Sequence, residues 1–78
     1  MALRVECDAG YRAVERPLRF RFLERESRTF EVVEVVDQWH GVGYRCFKVL
    51  ADDKNTYILR HIEQKDEWVL DSFRRANP

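Results

Sequence analysis

The stretch Leu18-Arg19-Phe20-Arg21-Phe22 decides the fold. Apolar side chains stand at its even positions and arginine at its odd ones. A period of two is the signature of a β-strand with one face toward a core. Downstream, Arg28 to Trp39 reads as a long strand whose alternation breaks at Val32-Val33: Phe30 and Val32 share one parity, Val33 and Val35 take the other. A one-residue bulge near Val32 accounts for the slip and bends the strand. Upstream, Leu3, Val5 and Cys7 alternate with Arg4 and Glu6, which makes Ala2 to Asp8 a first strand, ended by Gly10 and followed by a loop from Tyr11 to Pro17. Beyond a flexible connection at Gly41 and Gly43, Tyr44 to Ala51, Thr56 to Ile62 and Glu67 to Phe73 read as three more strands. Asp52-Asp53-Lys54-Asn55 and Glu63-Gln64-Lys65-Asp66 join them with the composition of tight hairpin turns. The tail Ser72 to Ala76 suits either the end of a strand or a short helical turn. Helical periodicity is otherwise nearly absent. The expected fold is all-β: a single domain over residues 1–78, its five or six antiparallel strands forming a meander curled into a small barrel or a strongly bent sheet. A bulge in the longest strand is a device that lets a small sheet curl.

Register assigns side chains to faces. Phe22 opposite Phe30 leaves Arg25 to Ser27 as a loop and sets Arg21 opposite Glu31 on the outer face, a cross-strand pair worth about 0.2–1 kcal/mol. In the hairpin after Ala51, a loop of Asp53, Lys54 and Asn55, with Asn55 in the left-handed region, sets Val49 opposite Leu59, Phe47 opposite His61 and Ala51 opposite Tyr57. Trp68 and Leu70 join this face. The opposite face then holds a second apolar set, Cys46, Leu50, Ile58 and Ile62, with Val69 beside it. Such a set needs cover from the first strand, from the tail or from another chain.

The chain has 78 residues, ten of them aromatic, and its 14 basic and 14 acidic side chains balance. That composition excludes a disordered chain, and no apolar run approaches the ~20 residues of a membrane span. The start Met1-Ala2-Leu3-Arg4 lacks the apolar core of a signal peptide, so the expected location is the cytoplasm, with both thiols reduced. Two cysteines, Cys7 and Cys46, are too few and too far apart for a secreted disulfide framework. Net neutrality argues against a dedicated polyanion binder, although eleven of the 14 cations are arginine, the residue suited to bidentate and stacked contacts.

Catalytic chemistry finds little to work with. A metal site would draw on Cys7, His40, Cys46 and His61, but none stand at C-x-x-C or H-x-x-x-H spacing. The candidate nucleophiles Cys7, Cys46, Ser27 and Ser72 have no histidine close in sequence on a recognisable motif, and Arg45 beside Cys46 is a thin case for an activated thiol. Asp52 and Asp53 read as turn formers. No phosphate loop, dinucleotide fingerprint or nucleophile elbow occurs. A cleft of ~300 Å³ or more is hard to carve from so little core. The expectation is a non-enzyme with no metal, no cofactor and no small-molecule substrate.

The strings Glu15-Arg16-Pro17-Leu18-Arg19-Phe20-Arg21-Phe22, Phe30-Glu31-Val32 and Val36-Asp37-Gln38-Trp39 are similar to those of a family of small bacterial all-β proteins of uncharacterised activity. So are Tyr44-Arg45, Phe47-Lys48-Val49, Ala51-Asp52-Asp53, Tyr57-Ile58-Leu59-Arg60 and Asp66-Glu67-Trp68-Val69-Leu70. The resemblance covers roughly residues 5 to 70 and rests on strand positions, so it specifies a fold more than a site. Related domains accompany Y-family DNA-polymerase-like proteins, which implies a DNA-repair setting. Where similar sequences often carry Gly in the turn after Asp52, this one has Lys54-Asn55.

Two functional expectations follow. The leading one is a cytoplasmic interaction module that docks a protein partner, or a second copy of itself, through Cys46, Leu50, Ile58 and Ile62. The alternative is a small β-barrel that binds single-stranded nucleic acid through Trp39 and Tyr44, which flank the Gly41/Gly43 loop, with Arg19, Arg21, Arg45 and Arg60 meeting phosphates. Neither involves a membrane.

Overall fold

The computed structural model describes residues 1–8, 16–24 and 28–75. Gly10, most of the loop from Tyr11, the Arg25 to Ser27 loop with its candidate nucleophile Ser27, and Ala76 lie outside the described residues. Six strands follow one another: β1 (Ala2–Asp8), β2 (Arg16–Phe22), β3 (Phe30–Gly41), β4 (Tyr44–Ala51), β5 (Thr56–Ile62) and β6 (Glu67–Arg74). Each pairs antiparallel with the next, and β6 returns to β1, so the meander closes into a barrel. Alternation alone sets the bounds of β1, β4 and β5. β2 starts earlier than its clean period-two stretch, at Arg16, and β3 runs from Phe30 rather than Arg28. The tail continues as strand through Arg74 rather than turning helical.

The inner face is the one that the apolar rhythm marks. Leu3, Phe20, Phe22, Phe47, Val49, Ala51, Tyr57, Leu59 and Trp68 form the buried cluster, with Val5, Cys7, Phe30, Val32, Val35 and Leu70 packed against it. Phe20 stacks on Phe30 with ring centroids 5.3 Å apart and meets Tyr57 edge-on at 5.0 Å, while Phe47 packs against Trp68 at 5.7 Å. Aromatic pairs at these separations add to the area that they bury.

Two hairpin registers differ from expectation by two residues, which keeps every side chain on its expected face. Phe20, not Phe22, stands opposite Phe30, so Arg19 rather than Arg21 faces Glu31, and Arg21 faces Arg4. In the β4–β5 hairpin Val49 faces Tyr57 and Phe47 faces Leu59; His61 faces Arg45. The loop has three residues as expected, but they are Asp52, Asp53 and Lys54. Lys54 N donates to Ala51 O, Ala51 N donates to Asn55 O, and the left-handed residue is Lys54 (φ 71°) rather than Asn55. The Asp53 side chain explains the choice. Its Oδ1 accepts from the Asn55 backbone N–H, an Asx-type turn that fixes where the loop ends. The Gly41/Gly43 connection is a tight turn rather than a flexible one: Gly41 pairs with Tyr44, and Gly43 (φ 82°) takes the left-handed backbone that a residue without Cβ adopts freely.

β3 has two bulges where the sequence suggested one. The register slips between Val32 and Glu34 and again between Val35 and Asp37, so Val33 and Val36 are the inserted residues. A further bulge, between the partners of Ile58 and Leu59, inserts Asp71 into β6 and lets Phe73 reach Tyr57.

The barrel wall has two weak seams. β2 and β3 pair only at Arg19/Glu31 and Phe20/Phe30. Beyond them Leu18 is an inserted residue, since β1 and β2 slip from Glu6/Arg19 to Cys7/Pro17, and the pairing after it would set Pro17 opposite the bulge at Val33; proline has no N–H to donate and a bulge interrupts the ladder, so the strands part. β1 and β6 pair at Ala2/Val69 and Leu3/Trp68, with Leu70 N donating to Met1 O. Both seams open toward the end that carries the β3–β4 and β5–β6 turns. Those two turns are tied together by Glu63 N donating to Gly43 O at 3.0 Å.

Candidate protein-docking surface

The outer sheet face is where the sequence places a docking patch, and the structure covers part of it. Cys46 is only 1 % exposed. Trp39 and Arg60 stand opposite it on the neighbouring strands. The Arg60 guanidinium lies 4.8 Å from the Tyr44 ring centroid and pairs with Asp71 at 2.9 Å. Tyr44 in turn lies flat on Gly41, where a Cβ would come within 2.5 Å of its ring. A thiol under this lid of Trp39, Arg60 and Tyr44 is not a contact surface, and it is not an accessible nucleophile. Leu50, Ile58 and Ile62 are half-buried, and Lys48 and Arg60 stand among them, so the four positions do not make one apolar patch.

The exposed apolar side chains gather on β3 instead. Val33 is 62 % exposed, Val36 49 % and Trp39 40 %, and Val42 in the following turn is fully exposed. Val33, Val36 and Trp39 recur every third residue because each bulge adds one residue to an otherwise two-fold rhythm. The two Val-Val pairs at 32–33 and 35–36 carried the signal: in each, the first valine goes to the core and the second to the bulge. Where β3 leaves β2, a groove of about 630 Å³ opens, lined by Arg16 and residues 33–38. The other seam opens a groove of about 590 Å³ along residues 2–7, with Leu23 and residues 66–69.

The residues suggested for nucleic acid are dispersed and mostly occupied. Arg19 pairs with Glu31 at 3.0 Å and with Glu6 at 3.3 Å, which holds its guanidinium charged, above its ordinary range. Arg45 pairs with Glu63 at 3.1 Å and Arg60 with Asp71. Arg21 and Arg4 have no ion pair among the described residues and face each other on β2 and β1. Trp39 offers a ring to solvent; Tyr44 is closed in by Gly41 and Arg60.

The titratable groups serve the turns. His61 stacks on Trp68 with centroids 4.6 Å apart, and its Nε2 lies 2.8 Å from Asp66 Oδ1. The Tyr57 hydroxyl donates to Asp53 Oδ2 at 2.5 Å, and the Asn55 side-chain amide donates to the same oxygen at 2.9 Å. Partial burial pushes the Asp53 carboxyl up, but the hydrogen bonds from Tyr57 and Asn55 together outweigh it, so it sits below the usual carboxylate range. Burial, then the bond to Asp53, pushes Tyr57 up to about 12. Among the described residues no three His, Cys, Asp or Glu side chains come together as a metal site, and no helix is long and apolar enough to cross a membrane. Ser72 stands opposite Ile58 on the β5–β6 ladder, away from both histidines in register. Comparison with protein families, curated proteins and solved structures finds no match to this chain.

Proposed function

We propose that the protein is a non-enzymatic, cytoplasmic binding module that docks another protein along β3. One observation carries this reading: Val33, Val36 and Trp39 stand exposed in a row on the strand that leaves the barrel wall, beside a groove. Apolar side chains clustered on a rigid strand mark interaction surfaces in small domains. The row replaces Cys46, Leu50, Ile58 and Ile62 as the contact surface, because those are half-buried or closed under their own neighbours. A photo-cross-linking residue at Val36, in cells that express the protein, should give discrete protein adducts. The same residue at Lys54, in the turn at the far end of the barrel, should not. Adducts with nucleic acid, or equal yields from the two positions, would remove the reading.

The nucleic-acid alternative, with its DNA-repair setting, keeps one supporting observation, the exposed ring of Trp39. It is the weaker reading because Arg19, Arg45 and Arg60 are each neutralised by a carboxylate. Titration of a labelled single-stranded oligonucleotide at about 50 and 200 mM salt separates the two, since phosphate contacts weaken steeply over that range.

A further inference from the structure

We infer that β3 takes up an extended segment of another protein, basic and alternately apolar, as an added strand along residues 33–40. This rests on the docking reading above and names the ligand. The groove is lined by Arg16 and by six consecutive residues of β3, 33–38. A sheet face would contribute every second residue; an unbroken run means that the strand presents its edge, backbone groups included. Among the described residues nothing pairs with β3 on this side beyond Glu31. A strand edge with open N–H and C=O groups is a template for another strand, and flanking apolar side chains then select the guest's alternate residues. Val33, Val36 and Trp39 are those side chains.

Charge chooses the guest. β3 carries Glu31, Glu34 and Asp37 and no Lys or Arg. Arg19 occupies Glu31, whereas Glu34 and Asp37 have no ion pair among the described residues. Asp37 Oδ1 accepts from the Gln38 backbone N–H at 2.8 Å, which holds that negative charge against the strand itself. A second copy of β3 laid antiparallel would bring these acids against their own kind, a destabilising cross-strand arrangement. Lys or Arg at alternate positions of a foreign segment meets them favourably.

The probes are three synthetic ten-residue peptides with blocked ends: one alternating Lys and Val, one alternating Glu and Val, and a Lys-Val peptide N-methylated at every second amide. The full chain, labelled with nitrogen-15, is titrated with each. The Lys-Val peptide should shift the amide signals of residues 33–40, slow at least tenfold the hydrogen exchange of those among them that do not bond to β4, and bind at least tenfold more tightly than either other peptide. The double variant Glu34→Lys, Asp37→Lys, with both substitutions on an exposed surface, should reverse the preference toward the Glu-Val peptide. Equal response to all three peptides would overturn the inference, as would shifts confined to other strands. So would protection, in the free protein, of those amides at 33–40 that do not bond to β4, which would mean that the chain covers this edge itself. If Val36 still cross-links to a protein in the cell while the peptides are ignored, strand addition is lost and the docking reading survives. If both fail, the docking reading goes too.

Discussion

Asp53 is the residue on which the β4–β5 turn closes: one carboxylate accepts from the Asn55 backbone, the Asn55 amide and the Tyr57 hydroxyl. Its pKa is lowered in the fold, so the unfolded chain binds the proton more tightly than the native one. The stability that it contributes is therefore complete above its ordinary value of 3.8 and is lost as pH falls through the lower native value. Asp53→Asn should flatten the acid limb of a urea-unfolding series across pH and cost about 1–2 kcal/mol at neutrality. Tyr57 works in the opposite sense. Raised from 10.0 to about 12, it adds stability that is full below pH 10 and disappears as pH climbs to about 12. Tyr57→Phe should remove that alkaline limb; an unchanged limb would mean that burial and the bond to Asp53 do not raise Tyr57 in solution. Lys54 sits in the same turn with a left-handed backbone, which costs a residue with a Cβ roughly 1–2 kcal/mol. Lys54→Gly should raise stability by about 0.5–1 kcal/mol, once glycine's own entropy cost is subtracted, in a thermal or urea melt.

At the scale of elements, β3 separates what was legible in the sequence from what was not. Parity was legible: Phe20 to Phe22, Tyr44 to Ala51 and Thr56 to Ile62 go to the expected faces because apolar alternation reports burial directly, whereas Leu18 is the inserted residue where β1 and β2 slip and Pro17 takes the buried place beside it. Register was not, and two hairpins slipped by two residues. A slip of two leaves burial unchanged, so only local turn chemistry decides it, and Asp53 made that decision by bonding to Asn55. The second bulge was hidden for a related reason. Val35-Val36 breaks the alternation as Val32-Val33 does, but only the register with β4 says which valine of the pair faces water. The bulges themselves predict a contrast. Deleting Val36 removes an inserted residue and leaves Val35 opposite Val49 and Gln38 opposite Phe47, so the chain should still fold, within about 1 kcal/mol of the parent. Deleting Lys48 from the unbulged β4 turns either Phe47 or Val49 and Ala51 outward and should abolish folding. Circular dichroism melts of the two deletions give the comparison, and equal loss in both would contradict the assignment of Val36 as a bulge.

At the scale of the whole molecule, the barrel is sealed at the end where Phe22, Phe30, Ala51 and Tyr57 pack and parted at the other, with a groove on each side of the β1–β2 hairpin. The all-β class and the barrel were open to sequence reading because they follow from many strands of one rhythm. The candidate surface was not: Cys46 looks like an exposed apolar residue until Trp39 and Arg60 are placed beside it, and that placement depends on cross-strand register. The short seams have a last consequence. The β1–β2 hairpin is held to the remaining four strands by two ladder pairs on each side and by the rings and aliphatic groups of Leu3, Phe20 and Phe22. It is the piece that two chains can trade, each lending its hairpin to complete the other's wall, as happens where one unit of a fold detaches more readily than the rest melts. Refolding at millimolar rather than micromolar concentration should leave a fraction of intertwined dimer on a sizing column. That fraction should persist when Glu34 and Asp37 are replaced by lysine and vanish when a disulfide fastens Ala2 to Val69.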